Sequence, residues 1–140
     1  MEALLYIADD IQLLAGGKIL TVGLYADRVV VVQDVPDPTP ASEPNIHTAI
    51  ASLSLMLSFV GIAPGERTVE PQLLLPDGSL GLQQIRPAKI EFGSTGSANL
   101  VFKFTPFLVP QAGLYKVRLS IDEIPIEVSF EVRFEATKTP

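Results

Sequence analysis

The chain has no cysteine and no tryptophan, a single histidine, and ten basic residues against sixteen acidic ones. Without cysteine there are no disulfide staples, thiolate nucleophiles, zinc fingers or iron–sulfur clusters. Without tryptophan the largest aromatic platform for a sugar ring is gone, and the phenylalanines alternate onto inward faces. A net charge of -6 repels a phosphate backbone, and no local basic patch offsets it, so no nucleic-acid partner is expected. Long apolar runs are also missing. The longest weakly polar stretch, Ile46 to Ile62, contains His47, Thr48 and three serines. It falls short of the ~20 apolar residues of a membrane helix. The start, Met1 to Asp10, carries an acidic first charge and ends its apolar run at Asp9-Asp10. That is not the basic-then-apolar pattern of a secretory signal, so a cytoplasmic protein with no membrane partner is expected.

What is present is ample apolar material: 47% of 140 residues, with 19% charged. A chain of this length fits one domain and buries roughly two-thirds of its unfolded surface. The plainest pattern lies near the C-terminus. Tyr115, Val117, Leu119 and Ile121 alternate with Lys116, Arg118 and Ser120; after Asp122-Glu123, Ile124, Ile126, Val128, Phe130, Val132 and Phe134 alternate with Glu127, Ser129, Glu131 and Arg133. Period two over this length predicts a hairpin with one wet face. A two-residue loop sets Arg118 opposite Glu127; a four-residue loop shifts each partner by two, and Asp-Glu without glycine does not decide between them.

Upstream, Leu100, Phe102 and Phe104 mark one strand and Ile90 and Phe92 another, joined by Gly93–Ser97. Pro76-Asp77-Gly78-Ser79 reads as a turn between Val69–Leu75 and a strand beginning near Leu80. Residues 51–60 alternate as a strand, although Ile46, Ile50, Leu53 and Leu57 also suit a helix. Ala3–Ile7 and Lys18–Tyr25 read as strands, with Asp9 placed to cap one helical turn that a left-handed Gly16 ends. Val29–Val32 is a continuous β-branched run, followed by an acidic loop at Asp34–Pro44 that holds four of the twelve prolines. Strands recurring every ~8–12 residues predict an all-β fold, a single antiparallel β-sandwich of roughly eight to ten strands over residues 1–140.

Pro110-Gln111-Ala112-Gly113-Leu114-Tyr115 resembles the lead-in to a late strand of immunoglobulin-like sandwiches, where a corner tyrosine bonds back to upstream backbone. The closing hairpin, ending Glu131-Val132-Arg133-Phe134, resembles their last strand pair; the Cys…Trp…Cys core of antibody domains is absent. Most of the chain also resembles an uncharacterised family of small bacterial proteins, a domain of unknown function. The shared features are Asp9-Asp10, Gly16-Gly17-Lys18, Gly23-Leu24-Tyr25, Leu75-Pro76-Asp77-Gly78, Ala98-Asn99-Leu100 and Gly113-Leu114-Tyr115. All are turn chemistry, so the likeness implies an Ig-like fold and not a function; the Asp34–Pro44 loop departs from the pattern.

Chemistry is sparse. Asp9 and Asp10 are adjacent, so on a regular strand they face opposite ways and share no proton. A hard-cation site needs more oxygen ligands than Asp34 and Asp37 add, so no metal is expected. His47 lacks a nucleophile elbow of the Gly-x-Ser-x-Gly type. Gly16-Gly17-Lys18 is followed by Ile19, where a phosphate loop has Ser or Thr, so no cofactor is expected. What remains is surface. If Val29–Val32 lies at a sheet edge, Val30, Val32, Asp34, Pro36, Asp37 and Pro38 form the candidate interaction surface, with the prolines as alternative edge guards. A non-enzymatic protein-interaction module is therefore expected, binding an unidentified protein. A structural subunit that self-associates is the alternative, and an enzyme using Asp9, Asp10 or His47 comes third.

Overall fold

The computed structural model describes residues 2–35, 48–81, 83–94 and 96–136. Its described residues form twelve strands and no α-helix. The first six are β1 (Glu2–Leu13), β2 (Ile19–Leu24), β3 (Val29–Val35), β4 (Thr48–Ile50), β5 (Leu53–Val60) and β6 (Gly65–Val69). Then come β7 (Gln72–Leu74), β8 (Ala88–Phe92), β9 (Ala98–Phe104), β10 (Phe107–Val109), β11 (Gly113–Ile121) and β12 (Ile124–Ala136). Two four-stranded sheets, β2-β1-β5-β9 and β3-β12-β11-β7, are accompanied by the two-stranded ribbons β10-β4 and β6-β8.

One core unites them. Leu5, Ile7, Leu55, Leu57 and Phe102 of the first sheet share a buried cluster with Val30, Leu73, Tyr115, Val117 and Phe130 of the second. Both sheets thus bury one face on common ground, the physical basis of a two-layer β fold. At about 1.5–3 kcal/mol per fully buried large apolar side chain, this cluster is the main stabilising contribution. Its centre is aromatic: Tyr115 stacks on Phe130 with centroids 5.4 Å apart, and Phe107 meets Tyr115 edge-on at 6.0 Å. β5 runs through the middle of its sheet and is buried on both faces from Leu53 to Leu57, so the segment that also suited a helix is a strand.

The β11–β12 hairpin closes with a two-residue loop, pairing Ile121 with Ile124 and Arg118 with Glu127. Asp122 and Glu123 both take positive φ, 52° and 66°, the backbone of a type I′ turn without its customary glycine. Arg67 holds that turn: its Nε donates to Asp122 Oδ1 at 2.8 Å, its Nη1 donates to the Ala63 carbonyl at 2.7 Å, and its guanidinium lies 5.3 Å from the Phe92 ring centre.

Several expectations are corrected. The strands number twelve rather than eight to ten, partly because Val69–Leu75 is not one strand. Pro71 lacks an N–H and interrupts it, so β6 pairs with β8 while β7 pairs with β11 in another sheet. Among the described residues no strand begins near Leu80; Leu80 makes one isolated bridge to Leu74, and residues 83–87 belong to no strand. The pairing is not wholly antiparallel, since β3 lies parallel to β12, with Val30 beside Val132. A β-branched run looks alike in either direction. Finally, Asp9 caps no helix. β1 continues through it to Leu13, because the ladder from Ala8↔Leu24 to Leu13↔Ile19 satisfies more backbone than a helical turn would. The turn falls instead at Ala15–Gly17, where Gly16 takes the expected positive φ of 79°.

Candidate functional site

Sheet edges and grooves are the places where a β fold offers free backbone groups and concave surface. β9 ends its sheet, bonded to β5 on one side and to no strand on the other among the described residues. β8 precedes it through the Gly93–Ser97 turn, yet pairs with β6. The two therefore splay apart, and an open groove of about 520 Å³ lies between residues 83–88 and β9. That volume is in the range of small-molecule and short-peptide sites.

Up to the start of β8 at Ala88 the far wall is not a strand, and two adjacent glutamines hold it. The Gln84 amide donates to the Leu73 carbonyl at 3.1 Å and accepts from the Leu73 N–H at 3.2 Å, as a neighbouring strand would. It also donates to the Gly81 carbonyl at 2.7 Å. Gln83 does the same on the other side, donating to the Pro106 carbonyl and accepting from the Leu108 N–H, both at 2.8 Å. Each side-chain amide replaces a peptide group, tying the segment to β7 and to β10.

The charged side chains that line the groove are Arg86 and Lys103, with no acid among them. In a chain of net charge -6 that is a local reversal. Lys103 Nζ also sits 3.2 Å from Asp10 Oδ1, whereas Arg86 makes no ion pair among the described residues. The Asp10 carboxyl is held below the ordinary carboxylate range, first by the Gln12 amide that donates to it at 2.8 Å and then by Lys103.

Asp9 turns to the other face, as adjacent strand residues must. It accepts from the Tyr25 hydroxyl at 2.8 Å and lies over Gly23, where a Cβ would collide with its carboxylate. Burial, aided by the hydrogen bond and charge of Asp9, pushes the Tyr25 phenol up to about 12. The two aspartates thus have separate partners and do not form a carboxylate pair. Among the described residues no three acidic or histidine side chains gather as a metal site, and no helix is long and apolar enough to cross a membrane.

The edge surface expected around β3 is placed only in part. β3 does end its sheet, but Val30 is fully buried in the core, a correction to its assignment as a surface residue. Val31 faces water instead, and Val32 is half-buried. Direction and burial follow from the parallel register with β12, which no period reveals. The backbone of Asp34 belongs to β3; its side chain, together with Pro36, Asp37, Pro38 and His47, lies outside the described residues. The β9 groove was missed from the sequence because its far wall has no periodicity. The one local signal was the pair Gln83-Gln84 in a segment with no other pattern.

The Tyr115 hydroxyl donates to the Gln111 carbonyl at 2.6 Å, four residues upstream, the bond expected of a corner tyrosine. Desolvation pushes its phenol up to about 12. No protein-family profile and no curated protein sequence matches the chain. Among solved structures it is similar to β-glucosidase from Listeria innocua, bound to glucose (9% identity, TM-score 0.39) and to isofagomine (9%, 0.38). The alignments cover 97% and 98% of this chain but 16% and 17% of those enzymes, so the chain spans about a sixth of their length, and at that TM-score the likeness carries no argument.

Proposed function

We propose that this chain is a non-enzymatic protein-interaction module of the bacterial cytosol, built as an immunoglobulin-like sandwich, and that it takes an extended acidic segment of a partner along β9. The observation that carries this reading is the groove: an unpaired strand edge on one wall, with Arg86 and Lys103 as its charged lining. A free edge offers backbone donors and acceptors in strand register, and the cations select acidic side chains on the incoming strand. The bond from Tyr115 to Gln111 supports the immunoglobulin-like assignment.

The test is a titration of the 15N-labelled protein with a six-residue peptide alternating valine and glutamate. Amide shifts confined to β9 and residues 83–88, lost in Arg86→Glu, are the expected result. Shifts scattered over the surface, or none at millimolar peptide, would defeat the reading. A second reading, a self-associating subunit, is favoured by a different observation on β2.

A further inference from the structure

β2 is exposed along its whole length and on both faces, from Ile19 to Leu24. It is also the other end of the first sheet, with β1 on one side and no strand on its second edge among the described residues. Leu20, Val22 and Leu24 are 44%, 52% and 58% exposed, and Ile19 is 39% exposed. Natural edge strands are guarded by lysine, proline or inward charge. Between Ile19 and Leu24 there is no charge and no proline.

We infer that β2 pairs edge-to-edge and antiparallel with β2 of a second copy, joining two four-stranded sheets into one of eight strands. A two-fold axis perpendicular to the sheet keeps the faces matched only when residues of the same parity meet. With Val22 on the axis, Val22 meets Val22 of the second copy and Leu20 meets Leu24 on one face. Ile19 meets Tyr25 on the other, and Gly23, which has no side chain, stands opposite Thr21. Each apolar side chain then faces an apolar side chain.

The charges at the strand ends specify this occupant and this direction. Lys18 stands at the start of β2 and makes no ion pair among the described residues. The other end carries Asp9, over Gly23, and Asp27, neither in an ion pair among the described residues, against Arg28. Antiparallel self-pairing brings the Lys18 end to the acidic end twice; parallel pairing would set like ends together. Shape agrees. Leu24 borders a hollow of about 390 Å³, lined also by Leu4 and Tyr6 on the same face, which gives Leu20 of the second copy a seat. The pairing is independent of the β9 groove, which lies at the opposite edge of the sheet.

The absence of cysteine makes the test clean, since one introduced thiol has no background. Sedimentation velocity across the micromolar range is expected to show a doubled mass, lost in Val22→Lys. The far-UV strand signal should persist in that variant, because the side chain replaced is already in water. In Val22→Cys, mild oxidation is expected to give a covalent dimer, since directly opposed strand residues lie within disulfide reach. Leu114→Cys, exposed on the other sheet, should stay monomeric under the same treatment. A wild-type monomer throughout the range would overturn the proposal. So would a dimer indifferent to Val22→Lys, or one in which Cys at position 22 does not cross-link.

Discussion

The molecule contains two long hairpins, β1–β2 and β11–β12, that meet water in opposite ways. In β11 every second residue from Tyr115 to Ile121 is buried, Tyr115 facing Phe130 and Val117 facing Val128 of β12, while the wet face carries Lys116, Arg118 and Glu127. In β1–β2 the partner strand β2 has no buried residue at all and no charge. Both are strands for the same backbone reason, an antiparallel ladder that satisfies donors and acceptors. They differ in where their side chains go. The C-terminal hairpin is complete within one chain, its apolar face covered by the other sheet. In the N-terminal hairpin, β2 keeps apolar side chains exposed on both faces that no described residue buries, the condition in which a second molecule is a natural cover.

The largest effects should separate the two. Phe130→Ala or Tyr115→Ala removes a ring from the aromatic centre of the core and is expected to cost about 3–5 kcal/mol in chemical denaturation. Leu20→Ala, measured at a dilution where the chain is monomeric, should stay within about 0.5 kcal/mol of the parent. Comparable losses at both places would break the contrast, for β2 would then be buried in the free chain. The same logic divides neighbours on β3. Val30→Lys forces an ammonium into a fully buried site and is expected to abolish folding, whereas Val31→Lys, already facing water, should leave the unfolding curve nearly unchanged.

Next come the groups that hold the C-terminal hairpin in shape. Arg67→Ala removes the anchor of a turn that places two non-glycine residues at positive φ. A loss of about 1–2 kcal/mol is expected, from a charged hydrogen bond and a stacked guanidinium. Tyr115→Phe keeps the ring and deletes the hydroxyl bond to Gln111, which should cost about 1 kcal/mol. It also sharpens the comparison through pH. The phenols of Tyr115 and Tyr25 are both pushed up to about 12 in the folded chain. Each is raised above its unfolded value near 10, so its contribution is intact below pH 10 and is lost as pH climbs toward 12. Tyr115→Phe and Tyr25→Phe should each flatten part of that fall. If only the Tyr25 change does so, the core tyrosine is not the base-sensitive element.

How much of this was legible beforehand follows from the same contrast. Where one face is wet and the other dry, period two states the strand and its facing. The pairing of Arg118 with Glu127 was one of two registers that spacing left open, and the Tyr115 hydroxyl bond was what the likeness to immunoglobulin-like sandwiches implied; only the facing was readable from spacing. The Asp122-Glu123 loop was not, because the residue that stabilises it, Arg67, is fifty-five positions away. For Val29–Val32 the sequence supplied a strand without a facing, since four valines in succession carry no alternation. Only the register with β12 shows that Val30 is the inward one. The groove was invisible for a further reason: its wall is made by glutamine amides acting as backbone, and such substitution leaves no period. Asp9 misled locally, because a residue that caps helices well also serves as an acceptor for a distant tyrosine.

The smallest expected effect lies on the wet face of the C-terminal hairpin. Glu127 is flanked by Arg118, 3.0 Å away, and Lys116, 3.6 Å away, and all three are well exposed. The Arg118 hydrogen bond, more than the nearby charges, holds its carboxyl below the ordinary range. A depressed carboxyl stabilises the fold above its unfolded pKa, and that contribution disappears as pH falls through the folded one. Acidification below about pH 4 should therefore weaken the hairpin slightly in the parent, and Glu127→Gln should remove that pH dependence while barely moving the neutral-pH melting temperature. High salt should erase the remainder, because exposed pairs are screened. A drop in melting temperature on the scale of Phe130→Ala would mean that the hairpin is held by its surface charges. The alternation of its apolar face argues that it is held from within.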